Sequence, residues 1–363
     1  MKAVILAAGE GSRMRPLTYA RPKVMLPIAN KPILEHLLIQ AKEAGITEFI
    51  FIVGYCDEQV RRYFGDGKQW GVRIEYCTQR KQKGTADALG MAAGLVNGPC
   101  LMINGDIIVS AGDISRLSRM TTNTMSVLEV QDTSGLGVVE LAEDRVTHIH
   151  EKTAGLQFTT ANAGIYLFTP DIFDAISRTP LSPRGEYEIT STLQSKIDNG
   201  EKVAYHRISS WLDVSYPWDL LAANESRLAK TEVQNLGTVE DNVTLKGKVS
   251  IGKDTVIRSG SYIVGPVVIG NDCDIGPNCH IRPATSIGDG CHIGSAVEVK
   301  NSIIMKGSKI PHHNYVGDSI IGEGCNFGAG AKIANLRLDK KNIEIAQIDT
   351  NRQKMGAVIS DGV

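Results

Sequence analysis

A glycine loop, a run of cations and two isolated carboxylates are the residues of this sequence whose types and spacing could do chemistry. Gly9-Glu10-Gly11 follows the apolar run Ala3 to Ala8 and precedes Arg13, Arg15, Arg21 and Lys23. Neither glycine carries a Cβ, so backbone N–H groups here can approach an anion closely. Arg13 and Lys23 add mobile positive charge of the kind that surrounds a polyphosphate. Asp106 ends the apolar run CLMINGD (100–106), and Asp213 follows Trp211 in SSWLDVSYPWDLL. Two carboxylates from separate loops suit Mg²⁺, which takes one or two carboxylates together with substrate phosphate and water.

A dinucleotide-binding loop would add a third glycine for close helix–strand packing, and an acidic residue near the end of the second strand for a ribose. Met14 stands where that glycine would be, and the second strand runs into Val53-Gly54-Tyr55 with Asp57 only beyond it. A nicotinamide dehydrogenase is therefore a poor fit. A loop that wraps a triphosphate and feeds cations into it fits better.

These residues need a frame. After the first strand, ILEHLLIQAKEAG (33–45) has apolar residues at helical spacing, TEFIFIVG (47–54) reads as a buried strand, and DEQVRRYFG (57–65) as a short helix. VRIEY (72–76) alternates like a strand. TADALGMAAGLV (85–96) predicts a helix capped by Thr85. The βαβα rhythm predicts an α/β domain with a Rossmann-like, mostly parallel or mixed sheet, whose ligands bind where strands end.

From about residue 245 the period changes. Ile251, Ile257, Ile263, Ile269, Ile275, Ile281, Ile287, Ile293, Val299 and Met305 recur every six residues, with small or β-branched residues four positions after each. That period predicts a left-handed parallel β-helix of hexapeptide repeats, three hexads to a coil, so that residues eighteen apart stack. The phase slips between 305 and 315 and is expected to resume at Tyr315, Ile321, Phe327 and Ile333. Cys273, Cys279, Cys291 and Cys325 fall on inward positions and read as small core residues rather than metal ligands. The expected organisation is a nucleotide-handling domain over 1–228, a linker over 229–240 and the β-helix over 241–363. GAVISDGV keeps the hexad pattern to residue 363 without a polar cap, so the array is expected either to be cut short or to leave a site on its last coils incomplete.

At 363 residues, 42% apolar and 22% charged, the chain has the composition of an ordinary two-domain globular protein. A net charge of −1 gives no global electrostatic case for nucleic acid or an anionic membrane. The N-terminal apolar run is too short for a signal peptide, and no stretch approaches about twenty apolar residues. Seven cysteines without an export signal point to a reducing, cytoplasmic setting.

Taken together, LAAGEGSRMRPLT…RPKVMLP resembles the signature loop of the sugar-1-phosphate nucleotidylyltransferases, and further motifs follow in the family's order. The resemblance implies nucleotide contacts at Leu6, Ala8, Gly9, Gly11, Gln79, Gly84 and Thr85, with Gln79 meeting a pyrimidine. It implies sugar-phosphate contacts at Gly137, Glu151, Lys152 and Asn162, Mg²⁺ on Asp106 and Asp213, and catalytic roles for Arg13 and Lys23. Thr153 departs from the proline that family often has there.

The segment from Ile281 to Leu336 resembles the acetyltransferase domain of the bifunctional enzymes that make UDP-N-acetylglucosamine. That resemblance implies His312 as base, with Arg282, Lys300, Tyr315, Asn326 and Asn335 on the substrate and acetyl-CoA as co-substrate. Leu336 stands where that family commonly has tyrosine. The implied partners are UTP or dTTP and a hexose 1-phosphate, with assembly as a homotrimer or a dimer of trimers. Two other readings stay open: a glucose-1-phosphate thymidylyltransferase with an inert β-helix stem, and a non-catalytic sugar-nucleotide sensor.

Overall fold

The computed structural model describes residues 1–130, 133, 135–151 and 158–363, which form two compact units. The first holds Met1–Glu10, Arg21–Met25 and Ile33–Asp213; the second holds Gly11–Ala20, Leu26–Pro32 and Val214–Val363.

Among the described residues, the first unit is built on a nine-stranded sheet. Its strands are β1 (Lys2–Ala7), β2 (Glu48–Val53), β3 (Arg73–Thr78), β4 (Cys100–Asn104), β5 (Thr124–Glu129), β6 (Val138–Ala142), β7 (Arg145–His150), β8 (Thr160–Phe168) and β9 (Ala204–Arg207). The spatial order is β3-β2-β1-β4-β8-β5-β9-β7-β6. β1 to β4 are mutually parallel, whereas β8 runs antiparallel to β4 and β5, so the sheet is mixed.

Covered strands need apolar residues on both faces. In β2, Phe49 to Val53 are all buried. One face packs under α1 (Ile33–Glu43), α2 (Asp57–Phe64) and α4 (Ala111–Leu117), and the other under α3 (Thr85–Gly90), α5 (Ile172–Ile176) and α6 (Ile189–Asp198). The i, i+3, i+4 spacing of α1 places Leu34, Leu37, Leu38 and Ala41 on Ile5, Phe49 and Phe51. Full burial of each of these leucines contributes roughly 1.5–3 kcal/mol.

α3 departs from expectation. It ends at Gly90, a 3₁₀ turn over Ala93–Leu95 following, and Thr85 does not cap it. Gly84 holds the capping position at φ +112°, and the Thr85 hydroxyl instead accepts from Ile189 N–H at 2.9 Å.

The second unit contains α7 (Pro217–Leu228) and the left-handed parallel β-helix. Three walls of short strands stack in parallel; one runs Thr244–Lys246, Tyr262–Val264, His280–Arg282, Glu298–Lys300 and Tyr315–Gly317. Every hexad residue from Ile251 to Met305 is at most 2% exposed. The small residues four positions on, Thr255 to Val297, are equally buried, because a six-residue edge turns both positions inward. After the slip, Ile321, Phe327 and Ile333 pack into the coil as expected, and Tyr315 does not. Ser286 pairs with Ile303 and Val299 with Val316, a spacing of seventeen, so one corner is a residue shorter. Ile304, Ile310 and Val316 therefore point inward, and Tyr315 faces out of the coil.

Candidate active site

In the first unit the C-terminal ends of β1 to β4 share one edge of the sheet, the edge where α/β folds bind ligands. Leu6, Ala8 and Gly9 lie at the end of β1, Gln79 directly after β3, and Asp106 two residues beyond β4. Backbones crowd here: a Cβ at Gly54 would fall 2.8 Å from Gln79 O and 2.9 Å from Ala8 O, and one at Gly105 would fall 2.6 Å from Leu6 O. Gly105 N–H donates to Leu6 C=O at 2.9 Å, which pins the segment carrying Asp106 to the end of β1.

Lys23 Nζ donates to Asp106 Oδ2 at 2.6 Å, and the Lys23 side chain is only 10% exposed. This is a short, charge-assisted contact. Strand Trp211–Asp213 pairs antiparallel with Ile107–Val109, setting Asp213 opposite Ile107. Asp213 thus arrives one residue along from Asp106, while Trp211 Nε1–H anchors the strand on Ala163 C=O at 2.9 Å.

Gln79 is 4% exposed and its Nε2 donates to Gly84 C=O at 3.1 Å and Asp87 Oδ2 at 2.8 Å. Gly137, Glu151 and Asn162 also come together: a Cβ at Gly137 would lie 3.3 Å from Glu151 Oε2 and 3.6 Å from Asn162 Cβ. Glu151 accepts from Thr190 Oγ1–H at 3.0 Å. Asn162 Nδ2 donates to Tyr166 OH at 2.6 Å, and burial pushes that phenol's pKa upward, keeping it neutral. Lys152 lies outside the described residues. His148 and His150 lie in one strand with rings 4.3 Å apart and tilted by 53°, and His150 Nε2 meets Glu140 Oε1 at 2.6 Å.

Gly11 and Arg13 belong to the second unit. Gly11 has φ +64°, and its C=O accepts from Thr18 Oγ1–H at 2.9 Å. The Arg13 guanidinium carbon lies 5.2 Å from the centre of the Tyr216 ring, a cation–π distance. Met14 is fully buried.

On the β-helix, Arg282 and Lys300 are register partners in adjacent coils, as the eighteen-residue spacing requires. Arg282 Nη1 donates to Glu298 Oε1 at 2.8 Å. Lys300 Nζ donates to Asp318 Oδ2 at 2.9 Å, and Asn335 Nδ2 donates to the same oxygen at 2.5 Å and to Tyr315 OH at 3.2 Å. Lys300, Tyr315 and Asn335 thus form one hydrogen-bonded cluster around Asp318. His312 sits exposed at a bend and Asn326 exposed in a parallel bridge with Lys309, both outside it.

Residues 2–230 match the nucleotidyl transferase family. The chain belongs to that family. Residues 263–355 match the GMPPB C-terminal domain. The bifunctional protein GlmU of Methanococcus maripaludis is 38% identical over 370 residues, covering all of this chain and 88% of that protein. A bifunctional sugar-1-phosphate nucleotidylyltransferase/acetyltransferase of Sulfurisphaera tokodaii is also 38% identical, covering all of this chain and 90% of its own length. A crystal structure assigned as a glucose-1-phosphate thymidylyltransferase from Bacillus anthracis, in complex with a sucrose, is 30% identical with a TM-score of 0.58. That match covers 65% of this chain and 97% of the other. The protein is a sugar-1-phosphate nucleotidylyltransferase, and no helix among its described residues is long and apolar enough to cross a membrane.

In this nucleotidyl transferase, sequence reasoning overlooked two acids that hold named residues, Asp87 on Gln79 and Asp318 on Lys300 and Asn335. Asp318 follows Gly317, the register partner of Lys300 in the next coil, so stacking of adjacent coils points to it once the spacing there is known to be seventeen. Asp87 had no such signal, because a lone acid in a short helix is ordinarily solvated.

Proposed function

We propose that this enzyme makes UDP-N-acetylglucosamine from UTP and N-acetylglucosamine 1-phosphate, and that its β-helix first acetylates glucosamine 1-phosphate from acetyl-CoA. The observation that carries the first reaction is the meeting of the Lys23–Asp106 ion pair with the Asp213 strand beside the end of β1. A phosphate oxygen of the sugar phosphate attacks the α-phosphorus of the nucleoside triphosphate in line, the bond to the β-phosphate oxygen breaks, and pyrophosphate leaves. The attacking group is already an oxyanion, so no general base is required, and catalysis amounts to positioning and charge neutralisation. Lys23 holds the sugar phosphate against the α-phosphate, and Arg13 offsets charge on the departing pyrophosphate. Backbone at Leu6, Ala8, Gly9 and Gly11 receives the nucleotide, with Gln79, Gly84 and Thr85 at its base. Gly137, Glu151, Lys152 and Asn162 receive the sugar.

Asp106 and Asp213 fit Mg²⁺: two hard carboxylates, with no cluster of three or more His, Cys, Asp or Glu among the described residues, make the sparse donor set that leaves room for phosphate and water. When bound, Mg²⁺ supplies charge neutralisation to the phosphates. On the β-helix, Arg282 and Lys300 take the substrate phosphate, Tyr315, Asn326 and Asn335 the sugar, and His312 the proton of the attacking amine. Similarity over the whole chain to proteins named as bifunctional supports this second activity. We place the enzyme in the cytoplasm as a homotrimer or a dimer of trimers, with neither nucleic acid nor membrane as a partner. A second reading, thymidylyl transfer to glucose 1-phosphate above an inert stem, draws support from the 30%-identical crystal structure.

Asp106→Asn and Asp213→Asn should each slow pyrophosphate release by about two to four orders of magnitude at saturating substrates, the scale of lost transition-state charge. The wild-type rate should collapse on chelation and return with added Mg²⁺. A variant within threefold of wild type would remove its carboxylate from the mechanism.

A further inference from the structure

Gln79 is held in a way that restricts what its side chain can offer a ligand. Its Nε2 has two hydrogens, and both have acceptors: Gly84 C=O at 3.1 Å and Asp87 Oδ2 at 2.8 Å. Turning the amide over would set its carbonyl oxygen against another carbonyl and a carboxylate, so the network alone fixes which end faces which way. Oε1 is left with no donor among the described residues, yet it is not sealed in the interior.

The mount that carries Asp87 is rigid. Gly84 is pressed so closely on Tyr187 that a Cβ would lie 2.4 Å from Tyr187 O. Ala86 N–H donates to that same carbonyl at 2.8 Å, and Thr85 Oγ1 accepts from Ile189 N–H at 2.9 Å. Three successive residues of the turn into α3 are thus fixed to one neighbouring segment, and Asp87 follows directly.

We propose that Asp87 is the positioning residue that sets base choice. By occupying Nε2 together with Gly84, it makes Gln79 Oε1 a lone acceptor. A lone acceptor matches uracil or thymine, which present N3–H, and opposes cytosine, whose N3 is a lone pair. The inference rests on the reading of Gln79 as the base-facing residue. Without Asp87 the amide can turn and donate to cytosine N3, so the distinction between keto and amino pyrimidines weakens while the fold persists.

The test compares kcat/KM for UTP and CTP with one sugar phosphate, and equilibrium binding of both nucleotides, in the wild type, Asp87→Ala, Asp87→Ser and Asp87→Asn. Sites built to hydrogen-bond a substrate N–H can reject analogues lacking it by up to about 10⁴–10⁵. We expect the wild type to prefer UTP by at least about 100-fold and the Ala and Ser variants by less than about tenfold. Asp87→Asn, whose Oδ1 can still accept from Nε2, should keep most of the wild-type ratio. A purely structural role would lower both nucleotides together. An unchanged ratio in Asp87→Ala or Asp87→Ser overturns the inference alone, whereas a wild type that does not distinguish UTP from CTP overturns the reading of Gln79 and the inference with it.

Discussion

Asn314 is the residue whose surroundings argue most directly with its chemistry. It is 2% exposed, and neither Oδ1 nor Nδ2 has a hydrogen-bond partner among the described residues. Glu298 N–H bonds Asn314 O and His280 N–H bonds Val297 O, which places Val297 one coil below it in the same inward column. A buried amide with unmet groups costs about 1–3 kcal/mol, and a branched apolar residue, such as the column already holds at Val297, removes that cost. Asn314→Val should therefore raise the thermal midpoint of the protein, and a fall would mean that the amide is satisfied in a way its neighbours do not reveal. At this scale the sequence disclosed strand-end residues well. Gly9, Gln79 and Asp106 follow recognisable apolar strands, and strand ends are where α/β sheets bind. It disclosed supporting residues poorly. Asp87 and Asp318 act through other side chains, and such contacts depend on which loops fold together rather than on local pattern.

Among the elements, the β-helix was the most legible, because each hexad repeats the same demand for an inward branched residue and a small one. Its cysteines obey that demand. Cys273, Cys279, Cys291 and Cys325 are at most 2% exposed, and all seven cysteines of the chain are free. Burial raises the thiol of Cys273, pushes that of Cys279 up to about 11 and those of Cys291 and Cys100 up to about 12. The thiolate is the reactive form, so these groups should be inert at pH 8 in the native protein. Titration with a thiol reagent should modify at most Cys56 and Cys77 quickly and all seven only in denaturant. Rapid native labelling of the β-helix thiols would contradict their inward placement. Tyr315 was misread as inward because a corner one residue shorter leaves hydrophobic content unchanged and shifts only register. Ile303 and Ile304, adjacent and both buried, are its visible trace. α3 was overdrawn for a different reason: apolar spacing continues past Gly90, but the backbone turns there.

The whole molecule carries two sets of chemical groups, one in each unit, with compositions suited to different steps. The sheet edge of the first unit gathers a cation, two carboxylates and a fixed amide, the set for nucleotidyl transfer. The outer wall of the β-helix gathers Lys300, Tyr315 and Asn335 around Asp318, with Arg282 one coil away on Glu298, a set we propose for a phosphorylated sugar. Family membership settles the class of reaction, and the choice of base and sugar decides whether the two sets serve one product. Pyrophosphate release with Mg²⁺, crossing UTP and dTTP against N-acetylglucosamine 1-phosphate, glucosamine 1-phosphate and glucose 1-phosphate, tests that claim most directly. The fastest release is expected with UTP and N-acetylglucosamine 1-phosphate. Release confined to dTTP and glucose 1-phosphate would contradict it and leave the β-helix as a stem.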